Sequence, residues 1–270
     1  MKLRQRQSEK GVALVTVLMI VAAMAAVAVT LSSTVLASTS RARAIDAATQ
    51  ADWLVQSAEE VGRAAIRDMV RLTEGKLFAD MPGLVEPTVF PVEGGVITLT
   101  GRDGGNCFNV NSLIDANATR TAGLEAAEGT PGEDFQTLLT IMDIEKGNAP
   151  GLMASLADWI DADQSPGISG AENAFYGAPD LRYRTPGQPM QSISELRAVR
   201  YFTPPVIDAL EPVLCARPGQ DSVVLNINTL TEAQAPLLSL AFSGALTLDA
   251  AADLIFKRPT GGWESVEVFL

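Results

Sequence analysis

Asp158, Asp161 and Asp163 sit within six residues of one another, and Glu172 and Asn173 follow a stretch bent by Pro166, Gly167 and Gly170. Carboxylates, amide oxygens and inward-turned backbone carbonyls are hard donors, and calcium takes six to eight of them at about 2.3–2.6 Å in irregular geometry. Zinc would want nitrogen or sulfur, which this loop lacks. The ligand set read from the sequence is Asp161, Asp163, Glu172 and Asn173. Composition alone favours a solvated acidic loop over a metal site.

Other chemistry is narrowed by what the chain carries. It has no histidine, which removes Ser–His–Asp and Cys–His nucleophiles and most catalytic zinc sites. A metal-dependent hydrolase built on Asp158, Asp161 and Asp163 stays as an alternative, without the commonest general base. Cys107 and Cys215 are the two cysteines. Outside the cytoplasm an even count points to a disulfide, and two buried thiols are the alternative. Net charge is −12 over 270 residues. The leader through Lys10 adds four bases and one acid, so the rest carries −12 − 3 = −15. That surface repels phosphate backbones, so no nucleic-acid partner is expected.

The elements that must position these groups begin with a membrane segment. Lys2, Arg4, Arg6 and Lys10 precede Gly11, and twenty uncharged, mostly apolar residues run from Val12 to Leu31. Twenty helical residues span roughly 30 Å, a bilayer's hydrocarbon core, and the basic flank keeps the N-terminus cytoplasmic. A secretory signal cut near Ala37 is the competing reading. From Ala42 to about Leu72 the pattern is amphipathic, with Ile45, Ala48, Leu54, Ala58, Val61 and Met69 among the apolar positions. One long helix is expected, ended by Gly75 and Pro82.

Val89–Val92 and Val96–Thr100, separated by Glu93-Gly94-Gly95, read as a hairpin, with a third strand over Cys107–Val110. Helices are expected over 134–146, 152–160, from the Ser192/Glu195 capping box, from Thr203-Pro204 to about Leu214, from Thr231, and over 248–257. A strand is expected over 225–229. Phe108-Asn-Val-Asn-Ser-Leu echoes Leu225-Asn-Ile-Asn-Thr-Leu, a sign of two related units or chance. The last helices resemble a helix-hairpin-helix, but the turn Phe242–Thr247 lacks positive charge, so a structural use is expected over DNA binding.

Lys10-Gly11 ahead of an apolar helix resembles the class III leader of type IV pilins and pseudopilins. That resemblance implies cleavage by prepilin peptidase after Gly11 and methylation of Val12. Leu156-Ala-Asp-Trp-Ile-Asp-Ala-Asp, Gly170-Ala-Glu-Asn-Ala-Phe-Tyr176, Tyr183-Arg-Thr-Pro-Gly-Gln-Pro, Ser194-Glu-Leu-Arg197 and Cys215-Ala-Arg-Pro resemble the K-type minor pseudopilins of type II secretion. What this implies is an α+β fold: a long N-terminal transmembrane helix packed on a small antiparallel pilin-like sheet, with a large inserted helical domain. The boundaries expected are a leader over 1–11, a membrane helix over 12–31, a pilin-like core over 32–110, an inserted helical domain over 111–222 and C-terminal helices over 223–270. The resemblance further implies calcium in the acidic loop and a place at the pseudopilus tip with the I- and J-type minor pseudopilins, priming assembly. The location implied is the inner membrane with the C-terminal domain in the periplasm; a DNA-uptake pilin is the other alternative. Most pilin-like subunits carry Glu at the position of Thr16, so its absence suits a subunit that caps a fibre, or is neutral. Members of the family usually run on past the equivalent of Leu270, which leaves a short variant and a truncated product both open.

Overall fold

The computed structural model describes residues 6–81, 84, 86–93, 95–114, 130–144, 148–219 and 221–270. It divides into two compact units. The first joins the N-terminal helix, through Met69, to Val89–Leu99. Helix α1 (Arg6–Leu72) is unbroken over 67 residues, about 100 Å at 1.5 Å per residue. Among the described residues it alone is long and apolar enough to cross a membrane, by length and composition. Residues 1–5 of the expected leader lie outside the described residues.

Most hydroxyls along its first forty residues need no outside partner. Thr16, Thr30, Ser33, Thr34, Ser38 and Thr39 each donate to a carbonyl three or four residues back, as hydrocarbon surroundings would demand. Leu54, Ala58, Gly62 and Met69 form a half-buried line on an otherwise exposed helix. Glu74 and Gly75 stop it in left-handed conformation, at φ +54° and +84°. The Gly75 N–H reaches back to the Val70 carbonyl at 2.8 Å, the αL termination that glycine favours. Pro82 lies outside the described residues.

Strands β1 (Thr88–Val92) and β2 (Gly95–Leu99) pair as a two-stranded sheet. A two-residue connection permits only the antiparallel hairpin.

The second unit comprises Val70–Thr88 and Thr100–Leu270, and within it the structure corrects the third strand expected for that sheet. Strand β3 is only Phe108–Asn109 and pairs in parallel with β4 (Leu214–Cys215), Phe108 opposite Leu214 and Asn109 opposite Cys215. A disulfide joins Cys107 to Cys215 across this pair. Between them lie a 3₁₀ turn (Val110–Leu113), α2 (Pro131–Ile141), α3 (Ala149–Ile160), α4 (Asn173–Tyr176), a second 3₁₀ turn (Ile193–Ala198) and α5 (Pro204–Leu210). Phe108, Leu113, Phe135, Leu152, Leu156 and Leu196 are fully buried at their centre. A 3₁₀ turn (Glu232–Gln234), α6 (Ala235–Ala241), α7 (Leu248–Phe256) and α8 (Val266–Phe269) complete the chain around Leu230, Ala235, Leu238, Ala251 and Ile255.

The helix expected over 134–146 begins earlier, because Thr130 caps it and Pro131 opens it, and ends at Ile141. Residues 145–147 lie outside the described residues. The helix expected to reach Leu214 stops at Leu210, ahead of Pro212. The strand expected over 225–229 is a turn: Asn226 Oδ1 accepts the Asn228 N–H at 3.1 Å, and its carbonyl accepts the Thr229 N–H at 3.0 Å.

That turn explains the six-residue echo. At the same place in the first copy, Asn109 Oδ1 accepts the Asn111 N–H at 3.3 Å and the Asn109 carbonyl accepts the Ser112 hydroxyl at 2.7 Å. The second asparagine of each copy then grips a distant residue by both backbone groups. Asn111 takes the Met190 N–H at 2.7 Å and donates to its carbonyl at 2.9 Å. Asn228 does the same to Trp263, at 2.7 and 2.9 Å. Two residues past each gripped position a serine, Ser192 or Ser265, caps a short helix. Both copies of the echo therefore build the same turn, the same two-point grip and the same serine-capped helix.

Opening the disulfide, which closes a separation of 108 residues, is expected to lower the melting temperature by on the order of 10 °C, read by near-UV circular dichroism with and without reductant. Asn111→Ala strands two backbone groups of Met190 and the Arg217 carbonyl in a buried site and should cost about 3–4 kcal/mol. Asn228→Ala, half-buried, should cost about 1–2 kcal/mol because water replaces part of the loss. Urea unfolding measures both; equal losses would contradict this ordering.

Candidate metal centre

Helix α3 runs Ala-Pro-Gly-Leu-Met-Ala-Ser-Leu-Ala-Asp-Trp-Ile, with proline in its first turn and an apolar body that buries every residue but Pro150. Its last turn therefore carries Asp158 into the interior, fully buried, and its C-cap is Asp161, 8 % exposed. The chain leaves in extended conformation and returns through the 167–170 turn to Glu172, 2 % exposed, just ahead of α4. One carboxylate oxygen from each of Asp158, Asp161 and Glu172 lies within 4.8 Å of the others.

Asp158 accepts the Gly167 N–H at 3.0 Å on Oδ1 and 3.3 Å on Oδ2. Glu172 Oε2 accepts the Thr185 hydroxyl at 3.3 Å, while Oε1 is buried without a hydrogen-bond partner. Burial pushes the Glu172 carboxyl up to about 7, with repulsion from Asp158, Asp161 and, more weakly, Asp163 adding to it and the Thr185 bond opposing it. Three carboxyls brought this close repel one another when ionised, a cost that a proton or a cation among them would relieve. The donor set is all hard oxygen, which fits a calcium-like divalent ion.

Two of the four expected ligands meet here, Asp161 and Glu172. Asp163 is exposed, outside the group, and its Oδ1 accepts the Ser165 N–H at 2.7 Å. Asn173 turns its Oδ1 to Thr185, accepting the N–H at 2.9 Å and the hydroxyl at 3.3 Å. Asp158, in the acidic stretch but left out of that set, lies with Asp161 and Glu172 instead. Its signal was the i, i+3 spacing to Asp161, which puts both on one face of a helix. Gly170 closes the site: a Cβ there would run into the Asp158 carboxylate.

Elsewhere, Gly11 and Val12 both lie within α1. The Thr16 hydroxyl is satisfied by the Val12 and Ala13 carbonyls. The turn between α6 and α7 places Ser243 and Gly244 at positive φ and carries no basic residue.

Residues 106–219 and 225–270 each match a family described as type II secretion system (T2SS), protein K. The type II secretion system protein K of Pectobacterium carotovorum subsp. carotovorum is 36% identical over 270 residues, 97% of this chain and 79% of that protein. That of Aeromonas hydrophila is 33% identical over 265 residues, 94% and 77% respectively. Among solved structures, the chain is similar to one in the crystal structure of the GspK-GspI-GspJ complex from the enterotoxigenic Escherichia coli type 2 secretion system. The TM-score is 0.70 at 30% identity, covering 85% of this chain and 77% of that one. From the apolar helix to the C-terminal helices, the chain belongs to the type II secretion system protein K family, the minor pseudopilins.

Proposed function

We propose that this minor pseudopilin is cut after Gly11, methylated on Val12, and held by residues 12–31 in the inner membrane with the remainder in the periplasm. There it joins I- and J-type minor pseudopilins at the tip of a pseudopilus and primes its assembly, a structural rather than catalytic role. The observation that carries this is the similarity, along nearly the whole chain, to a protein solved in complex with GspI and GspJ. The basic residues before Gly11 support the orientation. Thr16, whose hydroxyl is spent inside its own helix, brings no charge that a neighbouring subunit would have to neutralise.

In the same reading Asp158, Asp161 and Glu172 hold calcium, and the unpartnered Glu172 Oε1 is the atom that most needs it. A bound calcium ion would supply positive charge to a buried acid cluster. It would tie the end of α3 to the loop at Glu172, stiffening the inserted domain. Asp163 and Asn173, from the initial ligand set, border this group.

Co-purification from detergent-solubilised membranes with I- and J-type subunits, and an intact mass beginning at methylated Val12, are the expected results. A mature N-terminus beyond Ala37 would remove the anchor and with it this reading. Calcium should raise the melting temperature by several degrees over chelator, an effect abolished by Asp161→Asn or Gly170→Ala. The pH dependence has a definite sign. Glu172 has a folded value raised to about 7 from 4.5, so without metal the folded state binds the extra proton. Stability contributed by that proton is present near pH 5 and lost as pH rises toward 7. Calcium competes with the proton, so its apparent affinity should climb through pH 5–7 and level above. A flat profile from pH 5.5 to 8 would contradict the assignment of Glu172 as a ligand.

A further inference from the structure

The turn at residues 167–170 faces Asp158 and is held from three sides. The Gly167 N–H bonds the Asp158 carboxylate, as above, and the Ser155 hydroxyl reaches the Ser169 carbonyl at 3.5 Å. The third hold comes from a separate part of the fold. Arg200, just past the 3₁₀ turn Ile193–Ala198, donates from Nη1 to the Gly170 carbonyl at 3.1 Å. Its guanidinium is itself fixed, lying between two rings with Cζ 4.4 Å from the Phe175 centroid and 4.5 Å from that of Tyr201. Its backbone N–H donates to the Tyr176 hydroxyl at 3.0 Å. Phe175 and Tyr176 belong to α4, which starts directly after Glu172. One side chain thus ties the turn in front of Asp158 to the helix that follows Glu172.

We propose that Arg200 is a positioning residue for the carboxylate cluster: it latches the Gly170 turn before any cation arrives, so that calcium enters a preformed site. The inference rests on the cation reading of Asp158, Asp161 and Glu172. Two effects oppose each other. The guanidinium charge repels an arriving divalent ion, whereas the latch removes backbone entropy that the ion would otherwise have to overcome in ordering the loop. The charge has its face shielded by two rings, and several loop residues are ordered at once. Ordering therefore dominates.

The test uses the full chain in detergent, with calcium binding read by calorimetry and amide hydrogen exchange at residues 167–172 read in chelator. Arg200→Met should weaken calcium binding about tenfold and speed that exchange about tenfold without metal, a loss of one charge-assisted bond and its stacking. Arg200→Lys keeps the charge but not the planar fork, and should behave like the methionine variant. Phe175→Leu, a milder change, should lose about threefold in affinity. Unchanged or tighter calcium binding by Arg200→Met, or wild-type behaviour of Arg200→Lys, overturns the latch; tighter binding would make charge repulsion the governing term. Should the wild type itself take up no calcium, the cation reading falls, and the exchange rate in chelator decides the latch alone: unaltered protection in Arg200→Met overturns it.

Discussion

A planar side-chain amide offers one donor and one acceptor side by side, the same pair that a neighbouring strand would present. The second unit depends on that equivalence. Asn106 takes the Asn226 N–H at 2.7 Å and donates toward its carbonyl at 3.2 Å; Asn111 and Asn228 grip Met190 and Trp263 in the same two-point manner. Apart from the two-residue β3–β4 pair, no named strand is found among the described residues of this unit. Its irregular backbone groups still require partners once buried. Asparagine supplies them one residue at a time. Asn106 is 2 % exposed, Asn109 1 % and Asn111 4 %, so the contacts of these three are made where water cannot substitute.

The acidic cluster is placed by this frame. Asn111 fixes Met190 at the far end of the long loop that carries Gly167–Gly170 and Glu172, and the apolar face of α3 fixes Asp158 at the near end. Between these anchors the loop adopts costly conformations, with Ser169 at φ +70° and Arg182 at +58°. Burying carboxylates together is unfavourable on its own. The frame, stabilised by Leu152, Leu156, Ile160 and the Cys107–Cys215 disulfide, has to outweigh that repulsion. Rigid positioning by packed elements with chemistry carried on a loop is the usual division of labour.

Caps and apolar periodicity were legible in the sequence because they are local. The Ser192/Glu195 box forms as expected, with the Gln191 and Ser192 N–H groups on Glu195 Oε1. Helix α7 runs within a residue of its expected end. What failed was what depends on distant partners. Leu225-Asn-Ile-Asn-Thr has the alternation of a strand, but its amides are taken by Asn106 and its own side chains, so it turns instead. Phe108-Asn109 is a strand whose partner lies more than a hundred residues away, beyond reach of any hairpin signal. The donor loop was legible as a region from its oxygens and glycines. Asp163 stands in open loop, whereas Asp158 is hidden on a helix face beside Asp161 and Glu172, a difference set by burial.

The two copies of the repeated asparagine turn differ in the charges at the ends of their helices. Set side by side on their shared Ala-Asp-x-Ile, Leu156-Ala-Asp-Trp-Ile-Asp-Ala-Asp at the end of α3 compares with Ala251-Ala-Asp-Leu-Ile-Phe-Lys-Arg at the end of α7. Asp158 becomes Asp253, which pairs with Lys257 at 2.6 Å on the exposed surface. Asp161 becomes Phe256, and Asp163 becomes Arg258, whose Nη1 donates to the Ile227 and Leu230 carbonyls at 3.2 and 2.8 Å. The second copy keeps the turn, the asparagine grip and the serine-capped helix with no acid at either of the last two positions. The second copy thus carries an exposed ion pair at the end of its helix, whereas the first buries carboxylates together at the end of its own.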